Sequence, residues 1–485
     1  MASQDWLYAI FARHRWLAVP AALLLTVGLA VLGGYLLAEA GPLIAAIVLV
    51  GLALALWMLR DIEVAYWGVI GVVCLLPFAS FPFDIGFTPT FLDAALGALF
   101  LSWLLRLMME GQSRLVTTRL GGPVLVFLLL ALAAFVLGLG HAPLTSYIVR
   151  HFAEILLSVL LFFLVLNTVQ TAERLEGVVR ALILCAFGAA LIGVVLYLLP
   201  DEWAIRILST LRPLGYPVGP GVLRYVRDDP TLLKRATSTS VDPNVLGSML
   251  NLIICMTVPQ LFARRPLFRR RYLLPILGML LLCMGLTISR SALVGIALTM
   301  LVLAVLRYRK LGWLMLAGAV GLLLLPQTQA YIAHLIEGFQ GADLATQMRL
   351  GEYRDALTLI GRYPMLGVGF AGSPDVDTYI GVANVYLLIA EEMGLVGLTA
   401  FLVVMGMFFV RFWRGRELAR ADERLEPIWW GLHAAMMGAM VGGLFDHYFF
   451  NLDFHHSVTL FWLIMGLATA AGEIIAHRVS LIAYR

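Results

Sequence analysis

Apolar residues in this chain run in unbroken stretches, and most stretches approach the roughly 20 residues needed to cross a hydrocarbon core. They fall at 16–38, 41–59, 64–83, 90–107, 122–140, 146–167, 177–199, 243–263, 272–288, 291–307, 312–327, 384–410, 428–445 and 456–476. The pattern predicts an all-α, polytopic transmembrane helical bundle of about 14 spans, in the range of about 12–14. A transmembrane barrel would instead show alternating segments of about ten residues, and none is present. Two long segments interrupt the tight hairpins. The chain therefore divides into N-terminal spans (1–199), a first long loop (200–242), a second set of spans (243–327), a second long loop with an amphipathic helix (328–383) and C-terminal spans (384–485).

Composition sharpens the class. Hydrophobic residues make up 61% and charged residues 13%, against about 45–50% and about 25% in soluble domains. That excess must face lipid, which excludes a cytosolic enzyme, a disordered chain and a secreted disulfide scaffold. Cys74, Cys185, Cys255 and Cys283 all sit in apolar runs without a CxxC pair, as small core residues do. Met1 to Arg15 shows no cleavable signal pattern, so the first span is expected to stay. With the N-terminus inside, the inner loops collect Arg13, Arg15, Arg60, Arg106, Arg114, Arg119 and Arg174. Later inner loops hold the cluster from Arg264 to Arg271, then Arg309 with Lys310, and the arginines from Arg411 to Arg424. The short outer loops near 38–41, 81–89 and 140–145 hold no Lys or Arg. The positive-inside rule then places both termini in the cytoplasm and both long loops outside, in a cytoplasmic (inner) membrane.

Chemistry gathers where the spans meet those loops. The first loop carries Arg206, Arg212, Arg224, Arg227, Lys234 and Arg235, and the second Arg349, Arg354 and Arg362. They are either scattered solvated charges or an anion site, since guanidinium groups grip phosphate oxygens in pairs. The stretch Arg235 to Asn244 leads through Ser and Thr to Asp242-Pro243-Asn244 at the head of a span. Asp242 and Pro243 read as an N-cap and first helical position. Arg235 at that helix mouth has no such explanation, and an anion there meets both guanidinium and helix dipole. In Thr287-Ile288-Ser289-Arg290-Ser291, Arg290 is either a snorkelling end residue or an intramembrane functional charge. Beyond Arg349, Leu350, Tyr353, Leu357 and Ile360 share one face of an interfacial helix, closed by the Pro/Gly turn from Tyr363 to Phe370. Gly367-Val368-Gly369 follows no strand, so it is not a nucleotide loop. Asn384-Val385-Tyr386-Leu387 precedes the costly pair Glu391 and Glu392. The last outer hairpin holds Asp446, His447, Asp453, His455 and His456, at spacings that match no strong metal motif. A polar cluster without metal is expected there. Charges within spans are few: Asp93, His151 and Glu154.

These elements, in this order, resemble the O-antigen ligase and polymerase family from residue 230 to residue 410. The resemblance rests on Arg235 ahead of Asp242-Pro243-Asn244, then Thr287-x-Ser289-Arg290-Ser291, then Arg349, Tyr353 and Ala356-Leu357. It continues through Pro364-Met365-Leu366-Gly367-Val368-Gly369, Asn384-x-Tyr386-Leu387 and Glu392-x-Gly394-Leu395-x-Gly397, with 243–327 in the family core. It implies a membrane glycosyltransferase that takes a glycan from undecaprenyl diphosphate at the outer face, without metal or cofactor. A ligase passes the glycan to lipid A–core, and a polymerase passes it to the next lipid-linked repeat unit. Arg235, Arg290 and Arg349 would bind the diphosphate, and Arg224, Arg227, Asn244, Tyr353, Asn384 and Tyr386 complete the candidate substrate-binding set.

Such transfer needs cations on the leaving group and a base for the acceptor hydroxyl. Ligases carry a His just before the Asn of Asn-x-Tyr-Leu, and this chain has Ala383. Glu391, Glu392, Asp242 or His447 are the candidates to replace it. Alternatively the protein is a polymerase, toward which the sequence leans, or has another acceptor. The expected partners are the lipid-linked donor, a glycan or glycolipid acceptor, the bilayer and, for a polymerase, a chain-length regulator, with no nucleic acid. The rival class is a transporter or flippase of a lipid-linked anion, which would favour internal repeats and charged mid-spans.

Overall fold

The computed structural model describes residues 51–483 apart from 52, 85, 111–114, 142, 325–343 and 373–380, together with Leu23, Val27, Gly28, Val31 and Gly34. The span expected at 16–38, most of that at 41–59 and parts of the second loop lie outside the described residues. The fold is all-α, and eight described helices are long and apolar enough to cross a membrane.

Two compact units form, residues 1–68 with 95–115 and residues 69–94 with 116–485. Helices α1 (Ile62–Leu75) and α2 (Phe91–Glu110) have residues in both. In the first unit Met58 covers Gly68, and the Arg106 guanidinium donates to the Arg60 carbonyl at 3.3 Å. Helix α1 ends before the expected residue 83 because Pro77 has no N–H to continue the ladder.

The second unit carries α3 (Gly121–Gly138), α4 (Ser146–Thr168), α5 (Ala172–Leu198), the short α6 (Asp201–Ser209) and α7 (Pro243–Thr257). It continues with α8 (Arg270–Thr287), α9 (Arg290–Leu306), α10 (Arg309–Leu324), α11 (Leu344–Arg362), α12 (Val385–Arg420), α13 (Glu426–Gly442) and α14 (His455–Ala483). Helix α7 packs on α13, α9 and α8, while α14 runs along α4 and α13. Their spans are 89% buried, against 33% for α3. Helices α7 and α14 thus form the core of the unit, and α3 turns most of its surface to lipid.

The first long loop departs from the all-helical expectation in one place. Arg224–Tyr225 (β1) pairs antiparallel with Lys234–Arg235 (β2), Arg224 opposite Arg235. Asp229, Pro230 and Thr231 supply the reversal, the Asp229 carboxylate accepting from the Thr231 N–H at 2.9 Å. This hairpin delivers Arg235 to the bundle.

Candidate functional site

After β2 the chain dives inward. Thr237, Ser238, Thr239 and Ser240 are buried, a costly placement unless their hydroxyls are paired. Ser238 donates to the Ala189 carbonyl at 2.8 Å and Thr239 to that of Leu75 at 2.6 Å. Asp242 then caps α7 through the N–H groups of Asn244 and Val245. Both bonds end on Oδ1. Arg235 donates from Nε to the Thr287 carbonyl at 2.8 Å and from Nη2 to Asn244 Oδ1 at 2.7 Å. Burial works against its charge and the carboxylate of Asp242 supports it.

Thr287 ends α8, and the turn to α9 is strained. Ile288 sits at φ 52°, a left-handed conformation that a β-branched residue adopts only when its surroundings force it. The turn puts Arg290 at the first position of α9 and Ser291 against Asp446, to whose carboxylate it donates. The same carboxylate pairs with Arg349 of α11 at 3.2 Å. Asp446 is buried, and its pKa is pushed up to about 6 by that burial, with Arg349 and Ser291 pulling the other way. Thus Arg235 and Arg349 both reach the α8–α9 turn that carries Arg290, one through Thr287 and the other through Asp446. Asp446 stood in the sequence only as one member of the last hairpin. A buried acid just past the Gly442-Gly443 end of a span was the available signal.

The remaining candidates hold the frame. Tyr353 donates to the Ala383 and Leu444 carbonyls, both at 3.4 Å, and Glu352 accepts from the Ala383 N–H at 3.1 Å. Asn384 caps α12 and donates to the Leu444 carbonyl at 3.0 Å, while Tyr386 donates to that of Met440 at 2.7 Å. His447 lies 3.2 Å from the Val382 carbonyl through Nδ1, and burial pulls its pKa down, so it donates there as a neutral imidazole. Arg224 lies half-buried on β1, and Arg227 is exposed in the turn that follows.

Glu391 and Glu392 both lend their backbone carbonyls to the fold, and Glu392 also lines a cavity. Gly394, at φ 67° and ψ −177°, breaks α12 just after them. The Val368 and Gly369 N–H groups donate to the Glu391 and Glu392 carbonyls, each at 2.9 Å. In return the Leu395 and Val396 N–H groups donate to the Pro364 and Met365 carbonyls at 2.7 and 3.4 Å. The Pro-Met-Leu-Gly-Val-Gly run is thus a backbone dovetail for a broken membrane helix. The Glu392 side chain lines a cavity of about 320 Å³ shared with Tyr147, Phe370, Asn451 and Asp453.

Residues 275–402, from inside α8 through the dovetail and the first half of α12, match the family model for O-antigen ligase. The match takes in about a quarter of the chain. No curated protein matches the chain. The ligase match contains Arg290, Arg349, Tyr353, Asn384 and both glutamates, while Arg235 and Asp446 come from outside it in sequence. The eight apolar helices mark a membrane protein, and the matched stretch is what the chain has in common with the O-antigen ligase family.

The last hairpin does not act as one cluster. His447 faces Val382, and the His456 ring packs edge-on against Phe78. His455 instead meets His151 and Glu154 of α4, their potential ligand atoms all within 4.8 Å of one another.

Proposed function

We propose that the protein is an integral-membrane glycosyltransferase that moves a glycan from undecaprenyl diphosphate to an acceptor sugar at the extracytoplasmic face. The observation that supports this best is that Arg235 bonds the Thr287 carbonyl three residues before Arg290 while Arg349 pairs with the Asp446 carboxylate that holds Ser291, in a chain whose residues 275–402 match the O-antigen ligase model. The three guanidinium groups bind the diphosphate. The acceptor hydroxyl oxygen attacks the anomeric carbon, and the bond from that carbon to the phosphate oxygen breaks. Its electron pair leaves with undecaprenyl diphosphate, where preorganised cations take up the charge. Arg349 exchanges its Asp446 partner for the diphosphate, and the released Asp446 carboxylate accepts the hydroxyl proton. This assigns to Asp446 the role that Ala383 cannot fill. Glu392, which lines the cavity beside the dovetail, would orient the acceptor together with Glu391, with His447 holding the loop before α12.

Purified protein supplied with an undecaprenyl-diphosphate-linked glycan and no other acceptor tests the proposal. A ladder of longer lipid-linked glycans identifies polymerisation, the reading that Ala383 favours. Transfer only after lipid A–core is added identifies ligation. Folded protein that leaves the donor unchanged with both acceptors sinks the proposal.

A further inference from the structure

His151 and Glu154 stand three residues apart on α4, which places them on one face of that helix. His455 opens α14, which lies along α4. Glu154 Oε2 is 3.3 Å from His151 Nδ1 and 3.4 Å from His455 Nδ1. The three side chains are 2%, 7% and 4% exposed, respectively. Yet neither ring nitrogen of His455 has a hydrogen-bond partner, and the Glu154 carboxyl has only that of Asp93 beside it. Leaving such groups unpaired in a membrane protein's interior is costly. Potential ligand atoms of all three side chains lie within 4.8 Å of one another, close enough to gather on one ion. A tetrahedral zinc ion with bonds of about 2.0–2.1 Å keeps its ligand atoms about 3.4 Å apart.

We propose that His151, Glu154 and His455 form a buried site for a divalent transition-metal ion of the zinc type. Asp93, whose carboxylate accepts the Thr90 N–H at 2.7 Å and lies beside Glu154, is placed to be the fourth ligand. Charge supports an ion here. Arg150 Nε is 3.5 Å from the other Glu154 oxygen, a single cation against two carboxylates, so the ionised cluster holds one negative charge in excess, which attracts a dication. His151 pays for binding with a tautomer change. Its Nδ1 faces the Leu452 carbonyl at 2.8 Å and its Nε2 faces Arg150 at 3.0 Å. Ligation through Nδ1 moves that proton to Nε2 and opens the Arg150 contact, with no net proton released. The ion joins α4 to the start of α14 and so anchors the hairpin that carries Asp446. It shares no residue with the arginine site.

The test is the metal content of full-length protein prepared without a polyhistidine tag, exposed to zinc and desalted. About one zinc per chain is expected, and cobalt in its place should give the intense visible bands of a tetrahedral site. Glu154→Gln and His455→Ala should each bring zinc to background. Wild-type protein that retains less than roughly a tenth of an equivalent overturns the proposal, as does zinc undiminished in both variants. If the variants do not fold, the wild-type stoichiometry and the cobalt spectrum decide alone, octahedral cobalt counting against the site.

Discussion

Arg349 and Ser291 both engage the buried carboxylate of Asp446. Replacing Arg349 by Ala removes one of the proposed leaving-group cations, and kcat is expected to fall by roughly 10²–10³. Arg349→Lys keeps a point charge but not the paired geometry and should recover only part of that loss. A purified-enzyme transfer assay on both variants checks this, and full activity in Arg349→Ala removes it from the site. Asp446 sets a pH dependence. Its pKa of about 6 leaves it protonated below that value, unable to pair with Arg349 or accept a proton. The rate should therefore rise with pH through about 6, and Asp446→Asn should lose both the rate and that rise. A wild-type profile flat from pH 5 to pH 7 contradicts the assignment. Arginine positions were legible in the sequence because an Arg at membrane depth is conspicuous by itself. Asp446 was not, because what makes it chemical is its contact with Arg349 across 97 residues.

Among the helices, α12 shows how a sequence pattern changes meaning once its partner is known. An added Cβ at Gly394 would meet the Met365 carbonyl oxygen at 2.2 Å, and one at Gly367 would meet the Glu391 carbonyl oxygen at 2.5 Å. Both obstacles are backbone and cannot rotate away. Gly394→Ala adds to this a conformation reserved for glycine, and a loss of about 2 kcal/mol or more is expected. Thermal unfolding in detergent should register a clear fall in Tm, with Gly406→Ala, where a Cβ meets open space, as the neutral control. An unchanged Tm in Gly394→Ala would refute the dovetail as a source of stability. Helix ends such as Asp242-Pro243 were readable because capping is local. The break in α12 was not, since an apolar run continues across it and only the returning backbone of 364–369 makes it tolerable.

In the second unit, paired charges also gather away from the arginine site. Arg424 with Glu173 and Glu176, Arg478 with Asp422, and Arg307 with Glu426 form ion pairs at the ends of their helices remote from the arginine site. The positive-inside pattern assigns that end to the cytoplasm. A cysteine introduced at Gly221 should then react with an impermeant maleimide added to intact cells, and one at Glu417 only after permeabilisation. The four native cysteines are buried and give little background. Reversed labelling would invert the topology and with it the proposed face of reaction. The spans were legible at this scale because lipid exposure writes itself into composition, as the sparsely buried α3 shows. The grouping of α7 and α14 as the core was not, because their apolarity falls between that of the less buried α8 and α3 and so does not mark burial in protein.

The dovetail has a consequence for how the protein is made. Without its partner, α12 would enter the bilayer with carbonyls of Glu391 and Glu392 and N–H groups of Leu395 and Val396 unmatched, a penalty of several kcal/mol per group. The segment 364–369 lies on the N-terminal side of α12 and leaves the ribosome first. The complementary edge is thus already present when the interrupted helix reaches the translocon, and an order of synthesis running from partner to break lets the pair insert as one piece.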